Sequence, residues 1–291
     1  MAKKKNVAKV IALSASAAAL TFGVLYGKFH TPTLVAKDLI EFEKATDIEK
    51  YRDRHLTAHR GLSAIAPENT LPAYEAAGKQ GGFTAIECDA YCTTDGVWVI
   101  MHDDDVRKMT DQKGKVTDFS YEELLNMKFD NGANYKDFDD LRVCTIKEYL
   151  DVCRKYNCRP QIEIKDGRIE KLKSFYDLLK EEDVLDDVII ISFNFEALKY
   201  LRSLDADVEI WHIVRFISKK NVRNAKEQNF GINFCAPVYS GNQKDIARIH
   251  DAGLTSSCWT VDTPELLNKM LEAGVQYITT NCIVRKPENK N

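Results

Sequence analysis

The sequence predicts an α/β fold, a closed (β/α)8 TIM barrel with a hairpin excursion after its second strand and a small insertion. Three observations carry this expectation. Short apolar runs alternate with amphipathic segments along most of the 291 residues, the pattern of repeated βα units around a parallel sheet. Nine of those runs qualify as strands. One junction between them is too short for a parallel crossover, which leaves eight strands to close the barrel. Composition agrees: 44% hydrophobic and 29% charged residues are ordinary for a globular chain, enough for one large core.

The chain opens with Lys3, Lys4, Lys5 and Lys9, followed by an uncharged run from Val10 to Gly27 rich in Ala, Leu and Val. This reads as a membrane-targeting segment, close to the lower limit of about 17 residues for spanning a bilayer. No A-x-A exit pattern follows Leu20, so an uncleaved anchor is preferred over a cleaved signal. The lysines are then expected on the cytoplasmic side and the catalytic domain outside, or secreted if the leader is removed. Residues 1–30 form this segment, 31–54 a linker with a short leading helix suggested by Leu39, Ile40 and Ile48, 55–286 the barrel, and 287–291 a tail.

Strands are expected at 56–61, 85–91, 97–101, 160–165, 188–192, 208–214, 231–235, 255–260 and 276–280. Thr94-Asp95-Gly96 stands between the second and third, and Asp-Gly between apolar runs is a strong hairpin signal. The third is therefore an antiparallel return strand. A two-residue loop at Asp95-Gly96 would pair Thr94 with Val97 and, counting back, Asp89 with His102. Helices fit the other gaps, for example at 145–156, 194–204 and 263–273, the last stopped by Gly274. Residues 104–142 are the insertion, carrying Phe129, Tyr135 and Phe138.

The chemistry-bearing residues collect at the strand ends where barrel active sites lie. His59-Arg60-Gly61 ends the first strand; Glu87 and Asp89, two apart, share a face of the second; Glu163 and Lys165 do the same on the third barrel strand. Carboxylates without thiolates select a hard divalent ion such as Ca2+ or Mg2+, with Glu87, Asp89 and Glu163 as ligands. Arg60 and Lys165 complement an anion, and arginine's planar fork suits phosphate oxygens. His59 and His102 can serve as base and acid on opposite sides of an in-line displacement. Opposite Asp89, His102 would also suit a metal ligand; catalysis is preferred because an acid–base partner is needed. Together these parts fit phosphodiester cleavage. Lys+Arg 41 against Asp+Glu 44 gives a net charge of -3, so no global basic field recruits nucleic acid. Eight cysteines without a C-x-x-C pair indicate buried thiols rather than a zinc site or disulfide scaffold. Such thiols are commoner in reducing compartments, which pulls against an extracytoplasmic location.

These runs resemble the glycerophosphodiester phosphodiesterase family. His59-Arg60-Gly61 with Pro67-Glu68-Asn69-Thr70 resembles its opening signature, Ile86-Glu87-Cys88-Asp89 through Thr94-Asp95-Gly96 to Val99-Ile100-Met101-His102-Asp103 its second block, and Gln161-Ile162-Glu163-Ile164-Lys165 its third. The likeness extends to about Ile283 and includes Trp259-Thr260-Val261. It implies a TIM-barrel enzyme that hydrolyses small-molecule glycerophosphodiesters to glycerol 3-phosphate and an alcohol. It further implies His59 and His102 as acid–base catalysts, Glu87, Asp89 and Glu163 as ligands of a divalent cation, and Arg60, Lys165 and Trp259 as substrate contacts. One departure stands out: Thr279-Thr280-Asn281 occupies the place of a usual Thr-Asp pair. Two other readings compete, a phospholipase acting on intact membrane lipid (D-type or phosphoinositide-specific) and a catalytically silent phosphodiester-binding barrel.

Overall fold

The structure, a computed structural model, describes residues 39–239 and 243–286. The leader and the last five residues of the tail lie outside the described residues, and so does the expectation of a membrane anchor. Among the described residues no helix is long and apolar enough to cross a membrane.

Eight parallel strands close into a barrel: β2 (His55–Ala58), β3 (Ala85–Cys92), β5 (Arg159–Ile164), β6 (Ile189–Ser192), β7 (Glu209–Val214), β8 (Gly231–Cys235), β9 (Ser256–Trp259) and β10 (Tyr277–Thr280). Closure is made by β10 and β3 pairing on either side of β2. The expected strand positions therefore hold, with ends moved by at most three residues. The longest shift is at β2, which stops at Ala58, so His59, Arg60 and Gly61 form the turn beyond the strand. Crossover helices include α2 (Leu71–Gln80), α3 (Ile146–Tyr156), α4 (Phe195–Leu204) and α5 (Pro264–Glu272). Thr145, Asn194 and Thr263 cap the last three, each side-chain oxygen accepting a backbone N–H at the third helical residue, a contact worth about 1 kcal/mol. The leading segment is only in part the short helix its spacing suggested. Ile40–Glu41 forms a short strand, β1, parallel to β11 (Ile283–Val284), and only Phe42–Ala45 turns helical, as α1. Pairing with a strand from the other end of the chain overrides a weak local periodicity.

The lower barrel is packed by side chains. Gly231 lies under the Trp211 indole, so close that a Cβ there would meet Cδ1 at 2.3 Å. The His55 and Tyr277 rings stack at 4.4 Å, and Arg159 pairs with Glu209 at 2.6 Å. Outside β3, the Tyr149 hydroxyl donates to the Ile86 carbonyl at 2.6 Å and accepts the Gln161 N–H at 2.9 Å. It thereby enters the β3–β5 ladder beside Pro160, which has no N–H to give. This bridge anchors the stretch of β3 that carries Glu87.

The antiparallel return strand is β4 (Trp98–Ile100), but its register differs from expectation by one residue. Thr93, not Thr94, closes the hairpin: its N–H donates to the Val97 carbonyl at 2.9 Å, and Val97 N–H donates to Thr93 Oγ1 at 2.9 Å. The loop thus holds three residues and turns on Gly96 at φ 87°, the left-handed position such loops require. Asp89 consequently faces Met101, whose N–H it accepts at 2.9 Å, while His102 lies beyond the strand end. Residues 104–142 pack around Val106, Met109, Val116, Leu124, Met127 and Phe129 against the outer face of β4. Cys88, Cys92, Cys144, Cys153, Cys235 and Cys258 are buried thiols, as expected, and burial pushes the Cys144 thiol up to about 12.

Candidate active site

The turn after β2 places the first two functional side chains. Arg60 and Gly61 both adopt positive φ, 57° and 80°, and a Cβ on Gly61 would lie 2.6 Å from the Ala73 carbonyl carbon. Glycine alone lets the turn press against α2. The tight turn aims the Arg60 N–H at Glu87 Oε2, 2.9 Å away, and its guanidinium at two carboxylates, Glu68 at 3.0 Å and Asp89 at 3.4 Å. Just past the end of β5, Lys165 Nζ lies 3.2 Å from Glu163 and 3.6 Å from Asp89. Asp89 and Glu163 are direct cross-strand neighbours.

Glu87, Asp89 and Glu163 present carboxylate oxygens within 4.8 Å of one another. His102 is not part of that cluster, so its alternative as a metal ligand finds no support. Three carboxylates at this spacing cannot all be charged cheaply. Burial, and then the charge of Asp89, pushes Glu87 well above the usual carboxylate range and Glu163 to about 7. Burial opposes the charge on Asp89 as well, but Lys165, His102, Arg60 and a hydrogen bond from Asn69 outweigh it and hold Asp89 well below the usual range. Burial likewise works against the charge on Lys165, yet Asp89 and Glu163 keep it firmly protonated.

His59 is partly buried, and its Nδ1 meets Asn281 Oδ1 at 2.8 Å. An amide oxygen only accepts, so Nδ1 carries the proton and Nε2 keeps its lone pair. Burial, reinforced by the charge of Arg60, lowers its pKa to about 3. His102 is also lowered, first by burial, with Asp89 working in the opposite direction. Its Nδ1 lies 3.3 Å from Asp103, which is itself paired with Lys108 at 2.7 Å. A small recess beside it is lined by Glu68, Asn69, Met101, His102, Met109 and Phe129, so the insertion contributes to its wall. Across the mouth, Trp259 ends β9 and stands edge-on to Phe193, with ring centroids 5.8 Å apart.

A model of the glycerophosphoryl diester phosphodiesterase family matches residues 59–284. The chain belongs to this family. Its members are phosphoric diester hydrolases. A glycerophosphodiester phosphodiesterase from Caldanaerobacter subterraneus subsp. tengcongensis is 30% identical over 242 residues, covering 77% of this chain and 92% of that one. Glycerophosphodiester phosphodiesterase 1 of Homo sapiens is 34% identical over 172 residues, covering 57% of this chain and only 50% of the human protein. In architecture the chain is similar to a phosphodiesterase from Oleispira antarctica solved with the product sn-glycerol-3-phosphate (TM-score 0.72, 24% identity, 80% of this chain and 95% of that one).

Several further residues of this family member take part in the site without a local sequence signal for their role. Asn69, in the left-handed region at φ 59°, donates to Asp89 Oδ2 at 2.8 Å and is itself fixed by the Tyr74 hydroxyl at 3.0 Å. Glu68 closes on Arg60, and Asp262 holds Asn281 through both carboxylate oxygens. Glu68 and Asn69 stood inside a run that resembles the family; for Asp262 the sequence carried no signal, because its partner lies in the turn after another strand.

Proposed function

We propose that this chain hydrolyses glycerophosphodiesters to glycerol 3-phosphate and an alcohol, using a divalent cation, Ca2+ or Mg2+, and the His59–His102 pair. The observation that carries this reading is the Glu87–Asp89–Glu163 cluster at the barrel mouth, flanked by Arg60 and Lys165. The product bound to the Oleispira antarctica protein agrees with it. The residues fit a hard cation: their donors are all carboxylate oxygens, and the buried Asp89 Oδ1 has no hydrogen-bond donor, only the Lys165 ammonium at 3.6 Å. Glu87, Asp89 and Glu163 would hold the ion. When bound, it would polarise a phosphate oxygen and offset charge developing on phosphorus.

The remaining steps fall to the chain's own groups. Arg60 and Lys165 orient the phosphodiester. His59 Nε2 takes the proton of the glycerol hydroxyl next to the phosphate, and that oxygen attacks phosphorus. His102 gives a proton to the departing alcohol oxygen, leaving a cyclic phosphate. Water then opens the ring with the two histidines exchanging roles. The tethered attack carries the advantage of an intramolecular reaction. Hydrolysis of glycerophosphocholine should cease in excess chelator and return with Ca2+ or Mg2+; full turnover in chelator would refute the carboxylate assignment. A substrate analogue lacking the neighbouring hydroxyl should be inert, and hydrolysis at the parent rate would replace the cyclic route with direct attack by water.

A second reading, action on lipid, rests on a separate observation. Phe193, Phe216 and Val238 follow the C-terminal ends of β6, β7 and β8 and remain 43%, 57% and 36% exposed. Such an apolar rim suits an acyl-bearing substrate. A preference for lysophospholipid over glycerophosphocholine, lost in Phe193→Ser/Phe216→Ser, would favour it. For location, we infer from Val10 to Gly27 an uncleaved anchor with the barrel outside the cytoplasm. Fractionation and N-terminal sequencing test it, and recovery of a soluble protein starting beyond Tyr26 would overturn it.

A further inference from the structure

Asp262 follows β9, and no residue implicated above in binding or catalysis touches it except through Asn281. Its two oxygens are nevertheless fully engaged. Oδ1 accepts the Asn281 N–H at 2.8 Å and the Thr280 hydroxyl at 3.1 Å, and Oδ2 accepts Asn281 Nδ2 at 2.7 Å. Among the described residues no cation pairs with it. The far end of Asn281 is equally committed, Oδ1 accepting from His59 Nδ1 and from the Ser63 hydroxyl, both at 2.8 Å. Carboxylate, amide and imidazole thus form one directional chain of hydrogen bonds.

Direction is what makes the arrangement more than a loop clamp. An isolated asparagine side chain is nearly symmetric in shape and can present either its oxygen or its NH2 to a neighbour. Presented with NH2, the His59 imidazole would have to accept at Nδ1, which moves its proton to Nε2 and removes the lone pair a base needs. A carboxylate is acceptor-only. By holding Nδ2, it forces the oxygen of Asn281 toward His59.

We propose that Asp262 is a positioning residue which, through Asn281, fixes His59 in the Nδ1-protonated tautomer that leaves Nε2 able to take a proton. The role rests on the phosphodiesterase reading for its effect on turnover, but not for its effect on the tautomer.

The test is a swap. In Asp262→Asn, two amides face each other; Asn281 turns its oxygen to residue 262 and its NH2 to His59. In Asn281→Asp, two carboxylates meet at about hydrogen-bond distance and repel. In the double variant Asp262→Asn/Asn281→Asp, the amide at 262 donates to the carboxylate at 281, which still accepts from His59 and Ser63, so every hydrogen bond is restored with one donor reversed.

The expected result is a kcat lower by about 10²–10⁴-fold in Asp262→Asn, the scale on which a wrong histidine tautomer acts, with KM little changed. The double variant should recover to within about tenfold of the parent. Nitrogen-15 spectra of histidine-labelled protein, read on chains whose unfolding transition matches the parent, should show His59 protonated at Nδ1 in the parent and double variant and at Nε2 in Asp262→Asn. An unchanged tautomer in Asp262→Asn, or a double variant no better than the worse single, overturns the proposal. Should the parent cleave no diester, the phosphodiesterase reading fails while the spectra still decide the tautomer.

Discussion

Replacing Glu163 by glutamine should make the metal-free protein more stable, although it deletes an ion pair. Glu163 lies 3.2 Å from Lys165, which favours its charge, but it is also largely withdrawn from solvent, its side chain 12% exposed, and shares a site with Asp89 and Glu87. The second influence prevails, since the carboxyl is pushed up from 4.5 to about 7. At about 1.36 kcal/mol per pH unit, holding it charged in the folded state costs about 3 kcal/mol. The sign follows from proton binding. A carboxyl with a raised folded pKa binds more protons folded than unfolded between about pH 4.5 and 7, so its contribution lowers stability as pH rises through that window. In excess chelator, Glu163→Gln should therefore match the parent near pH 4.5 and exceed it by about 3 kcal/mol at pH 8. For a domain of this size that is roughly 6–12 °C in the unfolding midpoint. Adding Ca2+ or Mg2+ should reverse the order. A cation at one hundred times its Kd stabilises the parent by about 2.7 kcal/mol, and the variant, lacking one charged ligand, should respond far less. Thermal unfolding followed by circular dichroism at the two pH values, with and without metal, reads all four quantities. A variant less stable than the parent in chelator at pH 8 would mean that the Lys165 pair governs the site. An undiminished metal response would remove Glu163 from the ligand set.

Three further outcomes are expected. His59→Ala and His102→Ala should each lower turnover by about 10²–10⁴-fold, and the double change should cost less than the product, because neither proton transfer is useful without the other; steady-state kinetics on glycerophosphocholine measure this. Gly61→Ala should destabilise the fold by more than about 1 kcal/mol and lower activity, since a Cβ at φ 80° would sit 2.6 Å from the Ala73 carbonyl carbon; urea denaturation together with an activity assay checks both. Tyr149→Phe should cost about 2–4 kcal/mol in urea denaturation, because it leaves the Ile86 carbonyl and the Gln161 N–H buried without their bridging hydroxyl.

The amino-acid sequence alone carries the local order of the chain and the inventory of its site. Apolar runs of strand length, the capping residues Thr145, Asn194 and Thr263, and the Asp95-Gly96 turn act through neighbours only a few residues away, so barrel strands and helices were legible in it. The alternation of side chains along a strand likewise put Glu87 beside Asp89 and Glu163 beside Lys165 on single faces. Tertiary structure decided how those pieces register. Thr93 bonding to both ends of Val97 lengthened the hairpin loop by one residue and moved His102 off Asp89. The pairing of Ile40 with Ile283 drew the start of the expected leading helix into a strand and left only Phe42–Ala45 helical. The ties of Asn69 to Asp89, and of Asp262 through Asn281 to His59, join residues from different strands and loops. Periodicity and turn preference depend on adjacent residues, whereas these contacts exist only once the barrel has closed and brought distant segments within hydrogen-bond reach.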